Sequence, residues 1–346
     1  MKTQRVSTSI SMRAALLLSA AIVAGSAVMA VAQPAPIVIK GGHTVSATNS
    51  QHTPWAKFKE EAEKRSGGKI RVEIFPASMM GNDNEIMEKV QLGALQMGNA
   101  SSSNISNIFP KFGAFELPYI VTDVHDNMKL FYRNGKLGGP VYEVINKEML
   151  AKGLHALWVT PASFRGIGSR KEIKTPDDMK GMKVRSTASS IDRAALQAFG
   201  ANPVTMGFGE VYTGLQQGTI DGEGLPPDLM FDMKHQEVVR YVVMNNYNTY
   251  LIVCAMNAKF YDGLPKELQQ VVDEASIEAV KYANEQWTPM LNDRIKKMEA
   301  AGVKIYYPSK EEMSVWKQKV QPVVEQFTPQ VGSDFVQLVR ETLKSN

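Results

Sequence analysis

The fold is decided by residues 37–75, IVIKGGHTVSATNSQHTPWAKFKEEAEKRSGGKIRVEIF. Ile37 to Lys40 reads as a short buried strand. Residues 54–65 read as an amphipathic helix with Trp55, Phe58 and Ala62 on one face. Gly67 and Gly68 stop that helix, Ile70 to Phe75 alternates like a strand, and residues 84–92 return to helical spacing. The order β-α-β-α predicts a mainly parallel sheet with helices on its faces and ligands beyond the carboxyl ends of the strands. The Ser- and Asn-rich residues 99–107, with Ser101, Ser102, Ser103 and Asn104, suit such a position; a plain solvent loop is the alternative.

A second alternating unit begins near Trp158. It continues through a strand at 182–186, helices at 190–199 and 209–217, and extended chain at 238–249 and 251–256. Residues 265–301 hold one helical pattern around Pro289. At 1.5 Å per residue such a helix spans roughly 50 Å, longer than one lobe, so it is expected to bridge two lobes and to kink at the proline. Helical segments at 311–327 and 334–343 close the chain.

The N-terminus sets the compartment. Lys2, Arg5 and Arg13 precede an apolar run over 14–24 that ends at Ala30-Val31-Ala32, the pattern of a secretory signal peptide cleaved after Ala32. A membrane anchor is the alternative, but the run is shorter than the roughly 18 residues that a span needs. No cysteine stands at the cleavage site to take a lipid, since Cys254 is the only one in the chain. The mature protein is expected in solution, in the periplasm of a Gram-negative cell. A single cysteine allows no internal disulfide, so a packed core must hold the fold. The net charge of +4 owes three basic residues to the leader; without them 36 basic residues face 35 acidic ones. That balance removes the electrostatic case for a nucleic-acid partner.

Enzyme signatures are missing. There is no G-x-S-x-G, H-E-x-x-H, phosphate-binding G-x-x-x-x-G-K-[ST] or C-x-x-C, and the five histidines lack metal-ligand spacing. The reading is a non-enzyme without cofactor or metal. Cys254, inside an apolar strand, reads as an inert thiol. Arg185, near the end of the strand at 182–186, is either a surface ion-pair partner or a fork of donors for a carboxylate. Arg165, followed by Gly166, is similar, because glycine lets a ligand or strand approach closely.

Several segments recur in an order that resembles a known family: KGMKVR (180–185), FGANPVTM (199–206), EVY (210–212) and QQGTIDG (216–222). Gly68-Lys69-Ile70, Pro76, Gly81-Asn82-Asp83, Val90, Gly93 and Glu116-Leu117-Pro118-Tyr119 extend it through the first half. The chain resembles the substrate-binding proteins of tripartite ATP-independent periplasmic (TRAP) transporters, of the DctP-like kind. The resemblance implies an α/β fold of two lobes, with a ligand cleft between them and a long bridging helix. Lobe I takes residues 33–162 and 251–290; lobe II takes 163–250 and 291–346. It implies capture of a small organic carboxylate and delivery to a permease driven by a sodium gradient, with the lobes closing about strands near Pro161 and Tyr250. Arg185 falls on the arginine that clamps the carboxylate and Arg165 on a second that assists. Phe208 falls on a residue that packs on the ligand, and Ser101 and Asn104 on first-lobe positions that vary with substrate.

Leu225 departs from the pattern, because many members place an amide or acid there. An apolar wall argues against a sialic-acid-like or C4-dicarboxylate ligand and favours a monocarboxylate with an apolar or aromatic body, with Tyr247 and Tyr250 extending that wall. The same fold and site would also serve a sensory partner that docks on a membrane receptor.

Overall fold

The computed structural model describes residues 35–123, 125–161 and 164–345, and from Pro36 onward they form one compact unit. The expected signal peptide lies outside the described residues.

The quoted stretch folds as read. Strand β1 (Ile37–Gly42) pairs in parallel with β2 (Ile70–Phe75) and with β3 (Met97–Ser101). Between β1 and β2, helix Thr53–Arg65 starts with Pro54 in its first turn, where a missing N–H costs nothing, and buries Trp55, Phe58 and Ala62 completely. Helix Asp83–Gln91 is capped by Asn82, whose side chain accepts from the backbone N–H of Asn84 and Glu85 while Glu85 returns a bond to Asn82 N. That cap fixes where Asp83 stands. Residues 99–107 are not a loop: β3 runs to Ser101 and a helical turn, Ser102–Ile105, follows directly.

After a small hairpin, β4 (Tyr132–Arg133) and β5 (Lys136–Leu137), the chain forms β6 (Leu154–Pro161) and crosses to a second sheet. That sheet holds β7 (Gly166–Ser169), β8 (Lys183–Ser186), β9 (Asn202–Thr205), β10 (Gly222–Leu225) and β11 (Tyr241–Val243). The chain then returns as β12 (Leu251–Asn257) and crosses again to supply β13 (Lys304–Tyr306). The strand orders are β2-β1-β3-β12-β6 and β13-β11-β7-β10-β8-β9. Both sheets are mixed: five of the nine strand pairings in them are parallel, and the antiparallel ones, at β12 and β7, depart from the mainly parallel sheet expected. The returning chain enters the first sheet at the end where β6 leaves it, pairing Leu251 with Pro161, so β12 must run antiparallel to β6 and also to β3. By the same logic β7 is antiparallel to β10 and β11. The two crossing segments lie side by side, tied by Arg165 N donating to Asn248 O at 2.9 Å.

Helix Lys266–Ala300 is 35 residues long, with Pro289 inside it. Leu268, Val272, Ala275 and Ala279 belong to the first lobe's core, whereas Trp287 and Met298 belong to the second lobe's, so the helix spans both. Helix Lys310–Val331 packs Trp316 and Val320 in the second lobe beside Phe199 and Tyr247. The last helix, Ser333–Lys344, places Phe335, Val336 and Val339 in the first lobe's core, although the sequence division groups 291–346 with the second. Cys254 is fully buried in β12, and burial pushes its thiol well up, as an inert core residue requires.

Two buried features set the junction between the lobes. Gly224 in β10 leaves room for the Tyr247 hydroxyl, which donates to Asp192 at 2.9 Å. Glu116, at the end of the helical turn Gly113–Glu116, is fully buried; its carboxylate accepts from Ser102 Oγ at 2.8 Å and Ser103 Oγ at 2.6 Å. Burial pushes the Glu116 carboxyl up from 4.5 to about 7, against the pull of Arg165 and the two hydroxyls.

Each feature carries a prediction. In Gly224→Ala the added methyl runs into Tyr247, so urea unfolding should show a loss of about 1–3 kcal/mol; an unchanged midpoint refutes the close approach. For Glu116, the unfolded chain releases its proton near pH 4.5 while the folded protein keeps it to about 7. The folded state therefore binds the extra proton in that window, and stability falls as pH rises through it, by on the order of 3 kcal/mol. Urea midpoints of Glu116→Gln measured at pH 5 and pH 8 should lack this decline; an equal decline in both proteins assigns it elsewhere.

Candidate ligand-binding cleft

The carboxyl ends of β3, β8 and β10 converge where the lobes meet, and the side chains there enclose a cavity of about 40 Å³. Arg165, Arg185, Phe208 and Leu225 line it from the second lobe and the crossing segment. Ser101 and Asn104 line it from the first lobe, and Tyr250 from the returning strand's approach. These seven residues, expected from the sequence to contact a ligand, thus share one cavity.

Arg185 sits inside the second sheet, opposite Glu223 on β10 and Val204 on β9, and is 3% exposed. Its Nε and Nη2 both donate, at 3.3 Å, to one acceptor, Met206 O. Arg165 is 1% exposed. Its Nη1 donates to Gly224 O at 2.7 Å and its Nη2 to Ser103 Oγ at 3.0 Å, and its guanidinium lies 4.3 Å from the centre of the Tyr250 ring. Among the described residues, Arg165 Nε is buried without a hydrogen-bond partner. Burial and the neighbouring Arg165 both lower the Arg185 pKa. Burial also pulls Arg165 down, but Asp192, Tyr247, Tyr250 and Glu116 outweigh it and carry the value up.

The acids near this pair are engaged with other groups. Asp192 accepts from Tyr247, from Thr187 N at 2.8 Å and from Thr187 Oγ1 at 2.9 Å. Glu116 is held by its two serines, and Glu223 lies 2.8 and 2.9 Å from His235 Nδ1. Among the described residues neither arginine forms an ion pair within 4.0 Å. A buried charge demands a close partner. Here two like charges share a cavity while their counter-charges stand at one remove.

The remaining walls divide in character. Val45, Leu225, Leu229 and Ile252 make an apolar side, each at most 3% exposed. The first lobe supplies a polar side built on Asp83, which sequence reasoning noted only as part of a landmark. Its Oδ1 accepts from Thr44 Oγ1 at 3.1 Å. Its Oδ2 accepts from Ser101 N at 3.0 Å, Ser101 Oγ at 3.1 Å and Asn104 Nδ2 at 2.9 Å. The signal for Asp83 was its place one residue past the helix cap. Tyr247 does not extend the apolar wall; it is buried behind β10, edge-on to Phe199, and only Tyr250 reaches the cavity.

The sequence profile described as bacterial extracellular solute-binding protein, family 7, matches residues 41–330. The chain is 31% identical over 329 residues to the C4-dicarboxylate-binding periplasmic protein DctP of Rhodobacter capsulatus, covering 94% of this chain and 97% of that one. It is 30% identical over 287 residues to the 2,3-diketo-L-gulonate-binding periplasmic protein YiaO of Escherichia coli, covering 83% and 86%. Among solved structures, the sugar acid binding protein DctPAm of Advenella mimigardefordensis, in complex with galactonate, aligns with a TM-score of 0.84 and 26% identity over 89% of this chain and 98% of that one. A TRAP periplasmic solute-binding protein of Shewanella oneidensis with bound succinate aligns with a TM-score of 0.83 and 26% identity over 90% and 100%. With its two lobes, its bridging helix and its cleft, the chain belongs to the DctP family of TRAP-type extracellular solute-binding proteins.

Proposed function

We propose that this protein captures a small organic monocarboxylate between Arg165 and Arg185 in the periplasm and delivers it to a sodium-gradient-driven TRAP permease. The observation that carries this reading is a guanidinium pair, 1% and 3% exposed in one cavity, with no ion-pair partner within 4.0 Å among the described residues. A carboxylate placed there removes the mutual repulsion and supplies acceptors to planar forks built for two parallel bonds. The space of about 40 Å³ is enough for roughly three water-sized groups, which suits a carboxylate head. The carbon next to that head meets Leu225 and Leu229 on one side and the Phe208 ring on another.

Capture and closure are one event in this mechanism. The open lobes expose the arginines to water, the carboxylate docks on the second lobe, and the lobes rotate about the paired crossings near Pro161 and Tyr250 while the long helix bends near Pro289. Contacts across the cleft then lock the ligand in. Asn107 Nδ2 donates to Ala188 O at 3.1 Å and Asn49 Nδ2 to Asp232 Oδ2 at 2.8 Å, joining the lobes away from the cavity. Expulsion of water strengthens the charge-assisted bonds.

Arg185→Ala should lose at least about 100-fold in affinity, since two charge-assisted bonds worth about 1.5–3 kcal/mol each are lost. The ligand-free variant should keep its melting temperature, since repulsion from Arg165 disappears with the charge. Arg185→Lys should not restore binding, because an ammonium lacks the fork. Calorimetric titration against a library of organic acids reads all three, and near-normal affinity in Arg185→Ala sinks the clamp. Sodium-driven uptake by the reconstituted permease, present with this protein and absent without it, tests delivery; capture by a receptor ectodomain instead would support a sensory partner.

A further inference from the structure

Strand β10 sets Glu223 directly beside Arg185 of β8, in parallel register. Register partners in neighbouring strands share a face of the sheet at a Cβ separation of about 5 Å, and opposite charges so placed attract each other. On the other flank of Glu223 stands Gly168 of β7, which has no side chain, and beyond Arg185 stands Val204 of β9. Arg185 is therefore the charged cross-strand neighbour of Glu223, and it is close enough to feel that charge. Yet among the described residues the two form no ion pair within 4.0 Å.

His235 accounts for the missing pair. Its Nδ1 lies 2.9 and 2.8 Å from the two oxygens of Glu223, and both residues are fully buried. A carboxylate only accepts, so Nδ1 carries the hydrogen and donates to it. The ring has no second polar engagement, because Nε2 is buried without a partner among the described residues. The backbone aims the ring firmly. Lys234 takes the left-handed φ of 62° that side chains disfavour, the tight turn His235–Glu237 follows, and His235 O accepts from Val238 N at 2.9 Å and Val239 N at 2.7 Å. Arg185 meanwhile turns Nε and Nη2 to a single neutral acceptor, Met206 O, at 3.3 Å from each. A carboxylate is the stronger acceptor, so a released Glu223 would draw the guanidinium to itself.

We infer that His235 is a positioning residue for capture: by holding Glu223 it keeps the Arg185 fork open to a carboxylate arriving from outside. It acts through Glu223 and touches no ligand. This rests on Arg185 being the carboxylate clamp and names what keeps that clamp from closing on the protein's own acid.

Four variants of the mature chain test the inference. His235→Phe removes the donor and keeps a ring, and His235→Leu repeats the removal should the larger ring disturb folding. His235→Asn places an amide N–H where Nδ1–H stands. The fourth variant adds Glu223→Gln to whichever apolar variant gives a cooperative urea transition. The probe is acetate, the smallest carboxylate with a carbon beside its head, and its affinity is read from the rise in melting temperature at constant ionic strength. In the acetate-free crystal structure of the apolar variant, a Glu223 oxygen should lie within about 4 Å of the Arg185 guanidinium. Acetate affinity should fall at least tenfold there, return to within threefold of the wild type when Glu223→Gln is added, and stay within threefold in His235→Asn. A purely structural histidine would give a loss that removing the Glu223 charge does not repair. That result, or a Glu223 that stays away from Arg185 in the crystal structure, overturns the inference. If acetate does not stabilise the wild type, the clamp reading fails by itself, and the position of Glu223 in the crystal structure still decides whether His235 holds it off Arg185.

Discussion

The structure is organised around two guanidinium groups held out of water in one cavity. Burying one positive charge is costly and burying two together more so, and the fold meets that cost indirectly. Asp192, Glu116 and Glu223 lie close enough to influence the pair electrostatically, yet each is claimed by hydroxyls, a backbone amide or an imidazole. Had one of them closed on an arginine, the cavity would lose half of its positive charge and an incoming anion would have to displace an internal partner. Keeping the acids at a distance leaves the field attractive to a carboxylate without collapsing the site onto itself.

Much of the fold was legible because hydrophobic period and turn residues agree locally. The strand at Ile70–Phe75, the helix carrying Trp55, Phe58 and Ala62, and the bridging helix all stand within a residue or so of their sequence-based limits. The direction of β7 and β12 was not legible. Strand direction follows from where a chain crosses between lobes, and nothing in Gly166–Ser169 or Leu251–Asn257 records that. The docking of the last helix on the first lobe was hidden for a related reason: Phe335, Val336 and Val339 announce an apolar face but not its partner.

The cleft divides the same way. Family resemblance placed the arginines, Phe208 and Leu225, and all line the cavity. Asp83 was missed in this role because an aspartate at the start of a helix is also favoured by the helix dipole, a local explanation that conceals a second one. Glu116 left a fainter trace, a carboxylate between Phe115 and Leu117 in an otherwise apolar segment, where nothing local accounts for a charge.

The bridging helix makes the state of the cleft visible from outside. Its first part is rooted in one core and its last part in the other, so any rotation between lobes must be absorbed along a single rod. The eleven residues beyond Pro289 extend about 17 Å, and a swing of 10° there would carry their end about 3 Å. The helix is thus a lever as well as a strut. A protein that touches only its outer surface could tell a loaded molecule from an empty one without access to the ligand, which is the discrimination a transporter needs if unloaded binding proteins are not to jam its entrance.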